Sequence, residues 1–203
     1  PPTVTLEEGK RYFWKVRIWD GSGKVSPWTK AASFTKSIDN SWEADWIATG
    51  KTEDGPFPYF RKTCLIGKGK VRRAVVYLCG LGCSQLYLNG RAVEPDRILD
   101  PAQTDYDKKA LYSAFDVTSL LVGGKNCIGV MLGAGWYNQD KVWGGGMTYG
   151  RPILRCQMRV EYASGKVETI GTDTSWKWAD GPLVSSNVYQ GCLLYTSDAA
   201  DEL

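Results

Sequence analysis

The 203-residue sequence contains no histidine. This absence excludes Ser-His-Asp and Cys-His nucleophile systems, histidine general bases and imidazole-based zinc sites. No uninterrupted apolar stretch approaches the roughly 20 residues that span a bilayer. The net charge is only +3, without a long basic run of the kind that binds nucleic acid. We therefore expect neither a membrane nor a nucleic acid as partner.

Paired cysteine spacing and complete phosphate-binding loops are also missing. The sequence has six cysteines, and the five that precede residue 192 show no paired spacing, which argues against a disulfide framework. Cys79 and Cys83 have a gap found in some zinc sites, but without a second pair or a histidine we predict no metal there. Gly80-Leu81-Gly82 lacks the third glycine of a dinucleotide loop and is interpreted as a turn.

Aromatic and turn-forming residues are plentiful. Nine Trp, eleven Tyr and five Phe suit strands and a sizeable core, while 23 Gly and nine Pro supply turns. Residues 72–78 are apolar on both faces after a basic start, as in a central strand. From Leu154 to Tyr162, apolar residues alternate with polar ones, the clearest half-buried strand in the chain. No long helical pattern and no repeat accompany them, so the sequence predicts an all-β fold.

The stretch from residue 86 to 137 predicts how the strands are joined. Asn89-Gly90 follows an alternating run and favours a hairpin, because both residues take positive φ at little cost. Asp116 is placed to cap a single helical turn that directs two leucines inward. Gly123-Gly124 then ends that turn, and the chain enters the core as a strand.

Four segments of the sequence carry a resemblance. They are LYLNG at residues 86–90, LDPAQTDYDKKALYSAFDVTSLL at 99–121, GKNCIGVMLGAGWY at 124–137 and SWKWADGPLVSSNVYQG at 175–191. In this order they resemble the amino-terminal β-domain of bacterial α-L-rhamnosidases, over about residues 42–191. The LNG, FDVT and GKN pieces also occur in sugar-binding jelly rolls of β-galactosidase-like enzymes, whereas TDYDKK and GAGWY favour the rhamnosidases.

The resemblance implies a domain organisation. We expect a jelly-roll-like β-sandwich at residues 42–191, preceded at residues 1–36 by the last hairpin of a fibronectin- or Ig-like sandwich. Residues 192–202 can be written in codons that resemble a transposon-end sequencing adapter, so we expect residues 192–203 to be a non-native tail. The chain starts with Pro1-Pro2-Thr3, without Met or a signal-like segment, so we also expect the natural amino terminus to lie outside it. Localisation therefore stays unknown.

The resemblance also implies a function for the whole protein. Rhamnosidases of this kind are glycoside hydrolases that act on terminal α-L-rhamnosides with inversion, and their acid and base lie in a separate helical barrel. We therefore expect no catalytic residue in this chain. The chain would support that barrel or form part of the rim of its pocket, and it would be inactive alone. Its partners would be the missing catalytic domain and, through the whole enzyme, a rhamnose-containing glycan. The spacing of Asp96, Asp100, Asp105, Asp107 and Asp140 places no acid and base on opposing walls.

Sugar contact is a separate hypothesis. Pyranose rings stack on aromatic side chains while polar groups bind their hydroxyls. The candidate contact residues are Trp136, Tyr137, Trp143, Asp105 and Tyr106. The alternative is that these aromatics plug the end of the sandwich or dock against the missing domain.

Two other functions and one cofactor stay open. The chain could be a stand-alone carbohydrate-binding module or an adhesin-like interaction domain. The oxygen-rich loop from Asp96 to Asp107 could hold calcium, although its spacing matches no EF-hand loop and turns explain most of its aspartates. We predict no other cofactor.

Overall fold

The computed structural model describes residues 4–51, 55–139, 147–188 and 192–195, and the chain divides into two compact units, Pro1–Trp42 and Glu43–Leu203. Every regular element in the described residues is a strand, so the predicted all-β class is confirmed. No helix in that part of the chain has the length and apolar character needed to cross a membrane.

The first unit is an antiparallel hairpin of β1 (Arg11–Trp14) and β2 (Ala32–Thr35). Its turn is held by Asp20, whose carboxylate accepts hydrogen bonds from the backbone N–H groups of Ser22 and Lys24, both at 2.9 Å. Large apolar side chains of this unit are exposed, among them Phe13 at 70% and Ile18 at 66%. A two-stranded hairpin gives them no second layer to pack on.

The second unit contains the remaining strands in chain order: β3 (Pro58–Ile66), β4 (Val71–Leu81), β5 (Cys83–Leu88), β6 (Arg91–Ala92), β7 (Ser113–Asp116), β8 (Gly124–Gly133), β9 (Asn138–Gln139), β10 (Met147–Thr148), β11 (Ile153–Tyr162), β12 (Val167–Gly171), β13 (Lys177–Asp180), β14 (Leu183–Asn187) and β15 (Cys192–Tyr195). They form a four-stranded sheet in the order β12-β11-β4-β7 and a five-stranded sheet in the order β13-β3-β8-β5-β6. Two-stranded pairs β9-β10 and β14-β15 complete the set. All pairings are antiparallel.

The core lies between the two larger sheets and is filled by inward-facing residues of both. β4 contributes Val76 and Leu78, and β8 contributes Ile128, Val130 and Leu132, all at 1% exposure or less. Burying each such side chain stabilises the fold by about 1.5–3 kcal/mol. The predicted central position of residues 72–78 is confirmed, because β4 pairs with β11 on one side and β7 on the other.

The predicted turns are also confirmed. Asn89 and Gly90 have φ values of 52° and 80° and join β5 to β6. The Asp116 carboxylate accepts the backbone N–H of Thr118 at 3.1 Å, and Leu121 N–H donates to the Val117 carbonyl at 3.2 Å. The Asn89 side chain reaches further than its turn, since it accepts the N–H of Cys127 at 2.9 Å and so ties the hairpin to β8.

The prediction that β11 is half-buried was wrong for part of its polar face. Gln157 is 2% exposed and Glu161 is 8% exposed. The segment that precedes β3 covers this face at Gln157, whose carboxamide oxygen accepts the N–H groups of Glu43 at 2.6 Å and Ala44 at 3.2 Å, while Arg72 and Arg159 lie against Glu161. A polar residue whose hydrogen bonds are satisfied is buried at little cost, so alternation alone could not identify the open side.

Candidate functional site

The aromatic loop, residues 134–137, follows β8 and lies against the turn between β4 and β5. Two glycines permit this close approach. Gly82 has φ 119° and Gly135 has φ 50°. A Cβ on Gly82 would lie 1.9 Å from the Gly133 carbonyl oxygen, and one on Gly135 would lie 2.4 Å from the Gly82 carbonyl carbon. Because no side chain fits between them, glycine at both positions fixes where residues 134–137 leave the sheet.

A buried glutamine holds this loop in place. Gln139 is 3% exposed, and its side-chain N–H donates to the Gly135 carbonyl. Its side-chain oxygen accepts the N–H of Val188 at 3.2 Å, which attaches the loop to the residue that follows β14. Sequence reasoning missed Gln139, because nothing local distinguishes it from an exposed polar residue.

Three tyrosines pack together beside the loop. The Tyr106 ring lies edge-on to Tyr137 and to Tyr149, with ring centroids 5.2 Å apart in both pairs. Tyr137 and Tyr149 stack at 5.8 Å, and Tyr149 keeps 37% of its surface exposed. Burial, followed by nearby thiol and phenol groups, raises the pKa of Tyr106, so its hydroxyl stays protonated. That hydroxyl is buried without a hydrogen-bond partner among the described residues.

The structure brings only some of the predicted contact residues together. Tyr106 and Tyr137 are in contact, and Trp136, next in the chain, is half-buried. Asp105 is exposed and its carboxylate pairs with Lys108 at 2.7 Å. Trp143 lies outside the described residues, as does Asp140.

A cleft of 560 Å³ opens beside this loop. Asn138 and Thr148 supply polar groups on β9 and β10, Arg151 supplies positive charge, and Lys51 is ion-paired with Asp180. Phe57 and Pro58 form an apolar part of the wall. The described residues that line it include no carboxylate, and their amide, hydroxyl and cationic groups can hold a polar ligand. Sequence reasoning missed Lys51 and Arg151, which chain folding brings together from distant positions.

The described residues contain no group of three or more Cys, Asp or Glu side chains that could hold a metal ion. Of the aspartates in the oxygen-rich loop, Asp100 lies 3.6 Å from the Arg97 guanidinium. Cys79 donates to the Leu111 carbonyl at 3.0 Å, and burial raises its pKa to about 12, which keeps a metal-binding thiolate scarce. The calcium site stays a prediction.

Comparison with known families matches both units. The family model described as the alpha-L-rhamnosidase N-terminal domain matches residues 69–198, and the Rha78A-like N-terminal immunoglobulin domain matches residues 2–38. The first match extends beyond residue 191 into the segment for which we predicted a non-native origin. That origin stays a prediction.

Similar proteins and structures agree with the family models. An alpha-L-rhamnosidase of Formosa agariphila is 35% identical over 98% of this chain and 24% of its own length. The structure of an alpha-L-rhamnosidase from Dictyoglomus thermophilum is 39% identical with a TM-score of 0.80, over 91% of this chain and 22% of that one. One from Aspergillus terreus is 28% identical with a TM-score of 0.81, over 92% and 23%.

The match is extensive in this chain and partial in its relatives. The chain spans about a quarter of the Formosa enzyme and less of the two solved structures. The family model alone covers more than half of the chain and includes β4 to β14 of the sandwich. The predicted resemblance is thereby confirmed: this chain belongs to the family of α-L-rhamnosidase N-terminal domains.

Proposed function

We propose that this chain is a non-catalytic part of a bacterial α-L-rhamnosidase that hydrolyses terminal α-L-rhamnosides with inversion. One observation carries the proposal: 98% of the chain aligns with an alpha-L-rhamnosidase, yet only 24% of that enzyme is matched. The Streptomyces avermitilis alpha-L-rhamnosidase, whose structure holds L-rhamnose, is 29% identical over 85% of this chain. A rhamnose-containing glycan is therefore the proposed substrate of the whole protein.

The chemistry of the cleft supports a non-catalytic role for this part. Inverting hydrolysis needs two carboxyl groups about 6.5–9.5 Å apart, one protonated and one ionised. The described wall of the cleft instead carries Lys51 and Arg151, and Asp105 is held in an exposed ion pair with Lys108. The role that fits is mechanical: the sandwich supports the catalytic domain or forms part of the rim of its pocket.

Hydrolysis of an aryl α-L-rhamnoside tests this proposal. The 203-residue chain should release no aryl alcohol above the buffer rate, whereas the product of the complete gene should hydrolyse the substrate. Turnover by the chain alone that is lost in Asp105→Asn or Asp140→Asn would contradict the non-catalytic assignment. An inactive complete protein would contradict the rhamnosidase assignment.

A second candidate function is sugar contact at the aromatic loop. The partly exposed Tyr149, stacked on Tyr137 beside the polar cleft, favours it. Titration of the chain with L-rhamnose should then give saturable binding that weakens in Trp136→Ala and Tyr137→Ala but not in Trp46→Ala, an exposed aromatic remote in sequence. Unchanged binding in the loop variants, or no binding, would leave packing as the role of these aromatics.

A further inference from the structure

The outer face of the five-stranded sheet contains a groove separate from the aromatic loop. The groove has a volume of 550 Å³ and crosses β13, β3, β8 and β5. This size falls within the range of small-molecule sites, which is about 300–1,000 Å³. No described residue lines both this groove and the cleft beside the aromatic loop.

Glycine and two tyrosines shape the groove. Gly129 on β8 is paired with Arg61 of β3 and with Tyr87 of β5, and one position along the same face Met131 is paired with Tyr59. The two tyrosines therefore lie on opposite sides of β8 and are offset by two residues: Gly129 leaves open floor between Tyr87 and Arg61, and Met131 borders that floor beside Tyr59. Tyr59 is 38% exposed and Tyr87 is half-buried. Such rings offer the apolar surface on which a sugar ring stacks.

Two cations lie directly opposite each other at the same groove. Arg61 of β3 is the register partner of Lys177 of β13, and both side chains are exposed. Like charges opposed across a sheet repel each other. Neither residue makes an ion pair or side-chain hydrogen bond within the described part of the chain. The neighbouring Lys62 is different, because it is paired with Asp173.

The described lining of the groove contains no carboxylate to neutralise this pair. A bound anion would relieve the repulsion and accept charge-assisted hydrogen bonds from both side chains. The ligand must therefore combine a carboxylate with a ring that has an apolar face. We propose that this groove binds an acidic saccharide of the uronic acid class, its ring packed between Tyr59 and Tyr87 and its carboxylate on Arg61 and Lys177.

Calorimetric titration of the whole chain with glucuronate, and with glucose as its neutral counterpart, tests the proposal. Glucuronate should bind saturably and more weakly at higher salt, and glucose should bind at least tenfold more weakly. Arg61→Gln and Lys177→Gln should each weaken glucuronate binding about tenfold, the effect of losing one charge-assisted hydrogen bond. Gly129→Val should fill the floor and abolish binding, and the Cβ that it adds would lie at an ordinary 3.5 Å from the Tyr87 Cβ.

Lys125→Gln is the matched control, because Lys125 lies on the same face of β8 but does not line the groove. It should leave the affinity unchanged, and thermal unfolding should confirm that every variant is folded. Absence of saturable glucuronate binding, equal affinity for glucose, or equal loss in Lys125→Gln would overturn the proposal. So would a concentration-dependent dimer abolished by Arg61→Gln, since it would assign the face to a second copy of the chain.

Discussion

The two sheets of the sandwich present very different outer faces. On the four-stranded sheet, Tyr77 of β4 and Gln157 of β11 are each 2% exposed although they point away from the core. On the five-stranded sheet, Leu65 is 75% exposed and Tyr59 is 38% exposed at equivalent outward positions. The first face is covered by the chain itself and contributes to stability, whereas the second is open in the described part of the chain.

The cover of the four-stranded sheet comes from two separate segments. Residues 43–46 cross β11, where the Arg155 guanidinium also donates to the Ala44 carbonyl at 2.8 Å. Near β7, Tyr112 packs edge-on against Tyr77 at 5.9 Å. The five-stranded sheet has no comparable cover in the described part of the chain.

Truncating one tyrosine on each face should give the largest contrast. Tyr77→Ala removes a fully buried ring and should lower the free energy of unfolding by about 3–5 kcal/mol. Tyr87→Ala removes a half-buried ring from the open face and should cost only about 1 kcal/mol. Urea denaturation of both variants measures the difference. Equal losses would show that the open face is as tightly packed as the covered one.

The next largest loss of stability is expected at Gln157, which lies beneath residues 43–46. Gln157→Ala leaves the N–H groups of Glu43 and Ala44 without their acceptor and should cost about 2–3 kcal/mol. It should also speed proteolysis within residues 43–46. Gln85→Ala, on the open face, removes only a 3.3 Å hydrogen bond to the Val93 carbonyl and serves as the control, with a loss below about 1 kcal/mol. A larger effect in the control would contradict the assignment of the cover.

A smaller, pH-dependent effect is expected at Glu161. Burial opposes its ionisation, but Arg72 at 2.6 Å and Arg159 outweigh burial and hold the pKa of Glu161 below its usual 4.5. A lowered folded-state pKa means that ionisation stabilises the fold. This contribution is complete above the unfolded-state value and is lost as the pH falls through the folded-state value.

Glu161→Gln should therefore cost about 1–2 kcal/mol at neutral pH. The difference from the parent chain should shrink below pH 4.5. Thermal unfolding across pH 3–7 measures it, with Glu94→Gln as an exposed control that pairs with Arg97. A difference that stays constant with pH would mean that charge at Glu161 does not stabilise the fold.

Local sequence predicts some features of the fold but not others. The Asn89-Gly90 hairpin and the Asp116 turn depend on residues adjacent in the chain, so local chemistry predicts them. The burial of Gln157 depends on a segment more than 100 positions away, and its alternating strand gives no sign of it. Periodicity identifies the two faces of a strand but not whether another segment covers the outer one.

The candidate sites are likewise predictable from the sequence only in part. The motif GAGWY identified Trp136 and Tyr137 as candidates. The part played by Tyr149 in the tyrosine cluster and by Gln139 in holding the loop is visible only in the tertiary structure. The groove on the five-stranded sheet could not be predicted, because Arg61 and Lys177 are far apart in sequence and become neighbours only through the pairing of β3 with β13.

Thiol labelling of the native protein tests the contrast between the faces most directly, because each carries a cysteine. Cys127 is half-buried on the outer face of the five-stranded sheet, whereas Cys79 is 4% exposed beneath the cover of the other, and its pKa is about 12. With an alkylating reagent at pH 8 and mass spectrometry of the peptides, Cys127 should react while the chain is folded. Cys79 should react only at the rate of unfolding. Equal native rates at the two cysteines would show that the outer face of the four-stranded sheet is as accessible as that of the five-stranded sheet.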